Sequence, residues 1–330
     1  MGDRTSRRLL LASAAAAAVS RAASECRAQA VAGWPSGPIR VVVPFAPGGQ
    51  TDAAARFIAG PMSQTLGRPV VVENRAGASG TIGAAEVARA APDGHTLLVD
   101  AAGHASNSAL YPRLPFDYAR DFAPITQLAV SPQILAVHPS LPAMSLAELV
   151  ALAKRRPGEL SYGSPGNGSA GHLAAAYLAH LAGIEVVQVA YRGGGPAIQD
   201  LLAGNLSVAF GSVSATLALV QEGKLRPLAV SSLRRIRPLP DLPTVAELGY
   251  PGFDMNEWSG LYAPAATPAE IVARIGDAAR RALAEEAVRQ RIEQIGAEPV
   301  GNETGEFADW LARRRARMAE LVRDARITAD

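Results

Sequence analysis

The chain has 330 residues, 48% hydrophobic but only 5% aromatic, with 32 Lys plus Arg against 30 Asp plus Glu. A net charge of +2 supplies no basic field to hold nucleic acid. The single cysteine, Cys26, falls in a leader-like segment, so disulfides, thiolate metal sites and a cysteine nucleophile are excluded from the rest of the chain.

Residues 1–30 read as an export signal. Arg4, Arg7 and Arg8 form a basic start, residues 9–19 are an apolar run too short to span a bilayer, and Ala28-Gln29-Ala30 offers a small-residue cleavage site. Ala22 and Ala23 are alternative cut positions. Ser6-Arg7-Arg8 also fits a twin-arginine signal, and ordinary secretion stays open. The leader carries five Arg and two acids, so the remainder holds 27 basic and 28 acidic residues, a net −1.

The following stretch alternates strand and helix. Residues 39–44 are a β-branched strand, 51–66 a helix that Pro61 should kink, and 70–73 a strand leading to a turn at 74–80. Residues 81–90 form a helix capped by Thr81, and 96–99 a strand. This βαβαβ order implies parallel strands with right-handed crossovers. A second set comprises strands at 134–137, 160–162, 186–189, 206–210 and 227–230. Helices at 145–156 (opened by a Ser145–Glu148 capping box), 169–182, 196–203 and 215–221 lie between them. Residues 239–250 are proline-rich, with a capped turn at 244–247. Residues 254–262 read extended, and Thr267-Pro268-Ala269-Glu270 starts the first of two or three closing helices. The pattern predicts an α/β chain in two lobes, 31–130 with 254–330 and 131–253, with chain crossings near 128–132 and 250–255 acting as a hinge. One continuous sheet is the alternative.

Two glycine-rich turns carry the functional signal. The first is Pro44-Phe45-Ala46-Pro47-Gly48-Gly49-Gln50-Thr51-Asp52, and the second runs from Tyr162 through Ser164, Gly166, Asn167 and Ser169 to His172. Each joins a strand to a helix, the arrangement that points unpaired N–H groups and a positive dipole end at an anion. Thr51 and Asp52 sit where they can cap the helix and still face a ligand. Tyr191-Arg192-Gly193-Gly194 is a third such loop, with Arg192 facing either ligand or solvent. The turn at 74–80, with Ser79, is a fourth. Neither GxxxxGK[ST] nor GxGxxG is present, and the histidines show no HExxH spacing. Ser169 or Ser164 could serve a secreted hydrolase, but the nucleophile elbow G-x-S-x-G is broken by Asn167.

The stretches 38–52, 70–83, 91–98, 107–111, 160–173, 191–204, 223–230, 239–253 and 261–268 are similar, in this order and spacing, to those of the extracytoplasmic receptors of tripartite tricarboxylate transporters, the Bug or TctC family. The resemblance spans residues 34–327. It implies a two-lobed periplasmic-binding-protein fold of the Venus flytrap kind, each lobe a mainly parallel sheet flanked by helices. It implies a periplasmic receptor rather than an enzyme, with no cofactor and no metal, that captures a small organic carboxylate between the lobes and delivers it to membrane transporter subunits. A receptor reporting to a membrane signalling partner is the other reading. One jaw would comprise Phe45, Ala46, Gly48, Gly49, Thr51 and Asp52, with Ser79 nearby. The other would comprise Ser164, Gly166, Asn167, Ser169 and His172, with Tyr191, Arg192 and Gly194 beside them. The chain departs from the family pattern at Gly211, where relatives often carry Asp, at Gln188-Val189-Ala190-Tyr191, and at His104 beside Asp100.

Overall fold

The computed structural model describes residues 33–191, 193–325 and 327; the leader and Arg192 lie outside the described residues. Two sheets organise the chain. The first contains β1 (Ile39–Val43), β2 (Val70–Asn74), β3 (Thr96–Asp100), β4 (Phe122–Ser131), β10 (Glu257–Pro264) and β11 (Glu298–Pro299), in the order β11-β4-β10-β3-β1-β2. The second contains β5 (Gln133–Val137), β6 (Ser161–Ser164), β7 (Val187–Ala190), β8 (Val208–Ser212) and β9 (Arg226–Val230), in the order β7-β6-β8-β5-β9.

Both sheets are mixed, yet in each most strands run one way, in keeping with the mainly parallel expectation. β1 runs parallel to β2 and β3, while β10 is antiparallel to β3 and β4, and β11 is antiparallel to β4. In the second sheet β6 is parallel to β7 and β8, while β5 is antiparallel to β8 and β9. The reversed strands include β5 and β10, by which the chain enters each sheet from the other. They enter from the opposite end to the βαβ strands, so they run against them.

Period-two burial fixes the first sheet between two helical layers. Val41, Val43, Leu97 and Val99 pack in one core with α1 (Gln50–Leu66) and α8 (Ala269–Ala284), whereas Val42 and Leu98 belong to the core on the opposite face. On α8 the buried residues Ile271, Val272, Ile275, Ala278, Ala279, Ala282 and Leu283 make one stripe at helical spacing. Helix α1 runs through Pro61 as a single element and ends at Gly67, left-handed at φ 67. Thr81 does not cap α2 (Thr81–Ala88). The N-cap position is Gly80, at φ 90, and Thr81 Oγ1 donates to Ala78 O (2.8 Å), tying down the preceding turn. The capping residue Ser145 of α4 (Leu146–Arg155) accepts from Glu148 N, as the sequence indicates. Helix α3 (Gly103–Leu110) and strand β4 have no clean period in sequence, and both are formed by packing.

The two crossings meet at one serine. Pro132 alone separates β4 from β5. Directly beside it, Ser231 Oγ accepts from Gln133 N (2.9 Å) and donates to Asn256 Oδ1 (2.8 Å). The Ser231 backbone donates to Gln133 O (2.9 Å) and accepts from Met255 N (3.0 Å). The outgoing and returning chains are therefore stitched together at the point where the sheets join. The last helix, α10 (Thr304–Asp324), which follows the short α9 (Glu286–Gln294), secures the return: Arg314 donates to Asp254 O, and Arg317 donates to Gly252 O (2.7 Å) and Tyr177 Oη (2.8 Å). Ser231→Val leaves Gln133 N unpaired in a buried site, so it should lower stability by about 1–3 kcal/mol, measured as a fall in the urea midpoint.

Candidate functional site

An open cleft of about 530 Å³ lies between the sheets. It is built at the carboxyl ends of β1, β3, β6 and β8, the edge where open α/β sheets bind ligands. Four helices begin on its walls. They are α1, through Gly49 and Thr51; α5 (Ala170–Ala182), through Ala170 and Gly171; α6 (Gly194–Leu202), through Gly194 and Gly195; and α7 (Val213–Gln221), through Ser212 and Ala215. First-turn N–H groups have no intrahelical acceptor, and each helix presents the equivalent of roughly half a positive charge at this end. No Lys or Arg is among the described residues lining the cleft, and Glu257 is the one ionisable side chain there. Among the described residues, positive potential at the cleft thus comes from backbone. A separate hollow beneath the second sheet, about 20 Å³ and lined by Leu135, Leu149 and Phe210 among other apolar or aromatic residues, has too little room for a solute.

The side chains of the first turn shape it. Asp52, 3% exposed, accepts from Gly48 N (2.9 Å), Arg56 Nε (3.0 Å) and Asn74 Nδ2 (2.8 Å). Asn74 Nδ2 also donates to Phe45 O (3.0 Å). Burial works against the Asp52 carboxylate, but Arg56, the Gly48 N–H and Asn74 outweigh it and hold the carboxyl below its ordinary range. Asp52 therefore faces into the protein and fixes the turn, while Phe45, Gly48, Gly49 and Thr51 line the cleft. Ala46 is exposed on the same turn, outside the lining. Ser79 is also outside it, its Oγ accepting from Tyr111 Oη (2.9 Å).

On the opposite wall Ser169 lines the cleft as the N-cap of α5. Its Oγ donates to Gly166 O (2.6 Å) and accepts from His172 N (3.3 Å). Ser164 and Asn167 turn towards Gln188, whose Nε2 donates to Ser164 Oγ and Asn167 Oδ1, both at 2.9 Å. His172 is buried, its Nδ1 accepting from Gly168 N (3.0 Å), and it borders a hollow on the far side of α5 together with His180. Burial pushes its pKa down to about 4, so it is neutral near pH 7. Tyr191 Oη donates to Asp200 (2.6 Å), which pushes its pKa up to about 12. Gly194 lines the cleft; Gly166 lies in the turn at φ 130, outside the lining. Neither serine has the base a nucleophile needs. The Ser169 hydroxyl proton goes to a carbonyl, and the His172 acceptor nitrogen is taken by a backbone N–H.

The sequence reading missed several lining residues: Gln50, Gln133, Phe210, Ser212 and Glu257. Ser212 carried a signal, a serine between a strand and a helix. Glu257 carried none, because it reaches the cleft only through the antiparallel return of β10.

Residues 54–327 match the model of the tripartite tricarboxylate transporter family receptor. Among solved structures, the chain is similar to R. palustris Rpa4515 with adipate, at 36% identity, TM-score 0.79, and 89% and 99% of the two chains covered. It is similar to the periplasmic binding protein BugD, at 35% identity, TM-score 0.77, and 89% and 99% covered. It is also similar to MatC from Rhodopseudomonas palustris with bound malate, at 35% identity, TM-score 0.76, and 88% and 100% covered.

The buried neutral His172 makes stability depend on acid. Its folded pKa of about 4 lies below the ordinary value of 6.5, so its contribution is complete above pH 6.5 and is lost as pH falls through this window. His172→Asn, which can still accept from Gly168 N, should remove on the order of 3 kcal/mol of that acid sensitivity. Superimposable unfolding profiles of the two proteins between pH 7 and 4 would contradict this assignment.

Proposed function

Because the chain belongs to the tripartite tricarboxylate transporter receptor family, whose members are periplasmic solute-binding proteins and not enzymes, we propose that its cleft captures a small organic carboxylate. The convergence of four helix N-termini on a cavity of about 530 Å³ carries this reading, since the described lining offers no other positive charge. Adipate in Rpa4515 and malate in MatC support the ligand class. Backbone donors suit a receptor that must also release. They bond a carboxylate directionally, but they do not leave a buried cation behind when it departs.

In this reading, two lobes divided at Pro132 and at residues 254–256 close on the ligand. One contributes the N–H groups of Gly49, Gln50 and Thr51, and the other those of Ala170, Gly171, Gly194 and Gly195. A ligand that touches both walls binds the closed arrangement better and draws the population towards it. The leader read at residues 1–30 supplies export, by a twin-arginine or ordinary route. The loaded receptor then hands its carboxylate to the transporter's membrane subunits.

The glycines give a test that spares the fold. A Cβ on Gly49 would meet only Ala46 O, at 3.8 Å, and one on Gly195 would meet nothing within 4 Å. Gly49→Val and Gly195→Val should each weaken binding of a carboxylate recognised by the wild type by at least about tenfold, with little change in Tm. Titration calorimetry giving unchanged affinity for both variants would rule out capture by these backbone walls.

A further inference from the structure

Glu257 stands at the start of β10, beside Ala101 and Gln133 in the cleft wall. Its Oε1 accepts from Ala102 N and from Trp258 N, both at 3.0 Å. Those two bonds orient the carboxyl group, and its second oxygen, Oε2, has no hydrogen-bond partner among the described residues. Asp100 adds a second negative charge close by, and Arg314 is the cation that opposes it. Arg314 is itself engaged with Asp254, donating to its carbonyl and lying 3.9 Å from its carboxylate. Burial, the largest influence on Glu257, raises its pKa, and Asp100 adds to the rise; the two N–H donors oppose it. The group is thus an oriented carboxyl whose negative charge is poorly compensated, so that a proton donor brought to Oε2 would stabilise it.

That arrangement sorts ligands by their second functional group. A bare carboxylate brought to Oε2 would either add negative charge beside Glu257 and Asp100 or require Glu257 to take up a proton. A hydroxyl or ammonium would instead supply the proton that Oε2 lacks. Building on the capture reading above, we propose that Glu257 is a specificity-determining residue that accepts a hydrogen bond from a hydroxyl or ammonium group on the ligand. The preferred ligands are hydroxy or amino carboxylic acids, in preference to the unsubstituted acids of the same carbon skeleton. The helix N-termini hold the carboxylate, and Glu257 reads the donor.

The test compares matched pairs by titration calorimetry on the refolded, ligand-free protein: L-lactate against propionate, L-malate against succinate, and L-aspartate against succinate. The substituted member of a pair that binds should be favoured by about tenfold or more. Lactate and malate against aspartate separate a hydroxyl from an ammonium donor. In Glu257→Gln the amide oxygen can still take the Ala102 and Trp258 N–H groups, but an NH2 replaces Oε2. The preference should then collapse to within about threefold, while affinity for the unsubstituted acid is kept or improved. Equal affinity for both members of every binding pair in the wild type would overturn the proposal without any variant. So would a preference that survives Glu257→Gln. If none of these acids bound the folded wild type, the carboxylate reading itself would fail, and this proposal with it.

Discussion

Helix starts leave N–H groups without partners, and this chain places four such starts around one cavity. The rest of the architecture follows from that constraint. A βαβ unit brings each helix back with its N-terminus above the carboxyl end of a strand, so a sheet with parallel strands collects its helix starts along one edge. Two such edges facing each other concentrate unpaired donors in the space between them. The absence of Lys and Arg from the described lining then makes physical sense. An anion can be held by many neutral donors that were preorganised when the protein folded.

The polar side chains around the cleft serve mainly to fix its turns. Asp52 and Asn74 hold the Gly48-Gly49 turn from beneath, through bonds to Gly48 N and Phe45 O. Gln188 ties Ser164 to Asn167, and His172 holds Gly168 N. These bonds orient the loops, so that the glycines can lie bare against a ligand without becoming mobile. At the junction of the sheets, Ser231 joins both crossing segments through bonds to Gln133, Met255 and Asn256. A change in the angle between the sheets would have to turn about this short stitched region.

Much of this was legible in the residues. The β-branched run before Gly48-Gly49, the Ala-rich stretch after it, and the same grammar around Ser164–Ser169 read directly as strand, turn and helix. The capping serine Ser145 was readable because capping is a local interaction. What escaped was set by distant partners. Strand β4 has little periodicity and owes its form to the neighbours β10 and β11 on its two edges. Two-residue β11 is too short to leave a pattern. Asp52 and Thr51 occupy adjacent positions of the same first helical turn, yet one faces the interior and the other the cleft. That division depends on Asn74 and Arg56 being placed by other elements. Glu257 has no local motif at all, because only the antiparallel return of the chain brings it beside Ala101.

The account stands on backbone amides from both sheets sharing one anion. Amide chemical shifts of the isotope-labelled protein, followed by transverse-relaxation-optimised NMR as a binding carboxylate is titrated in, observe those groups individually. The N–H signals of Gly49, Gln50 and Thr51 and those of Ala170, Gly171, Gly194 and Gly195 should move together, with one dissociation constant common to both walls. Binding that left these amides in place, or shifted those of one wall only, would contradict capture between the two sets of helix N-termini.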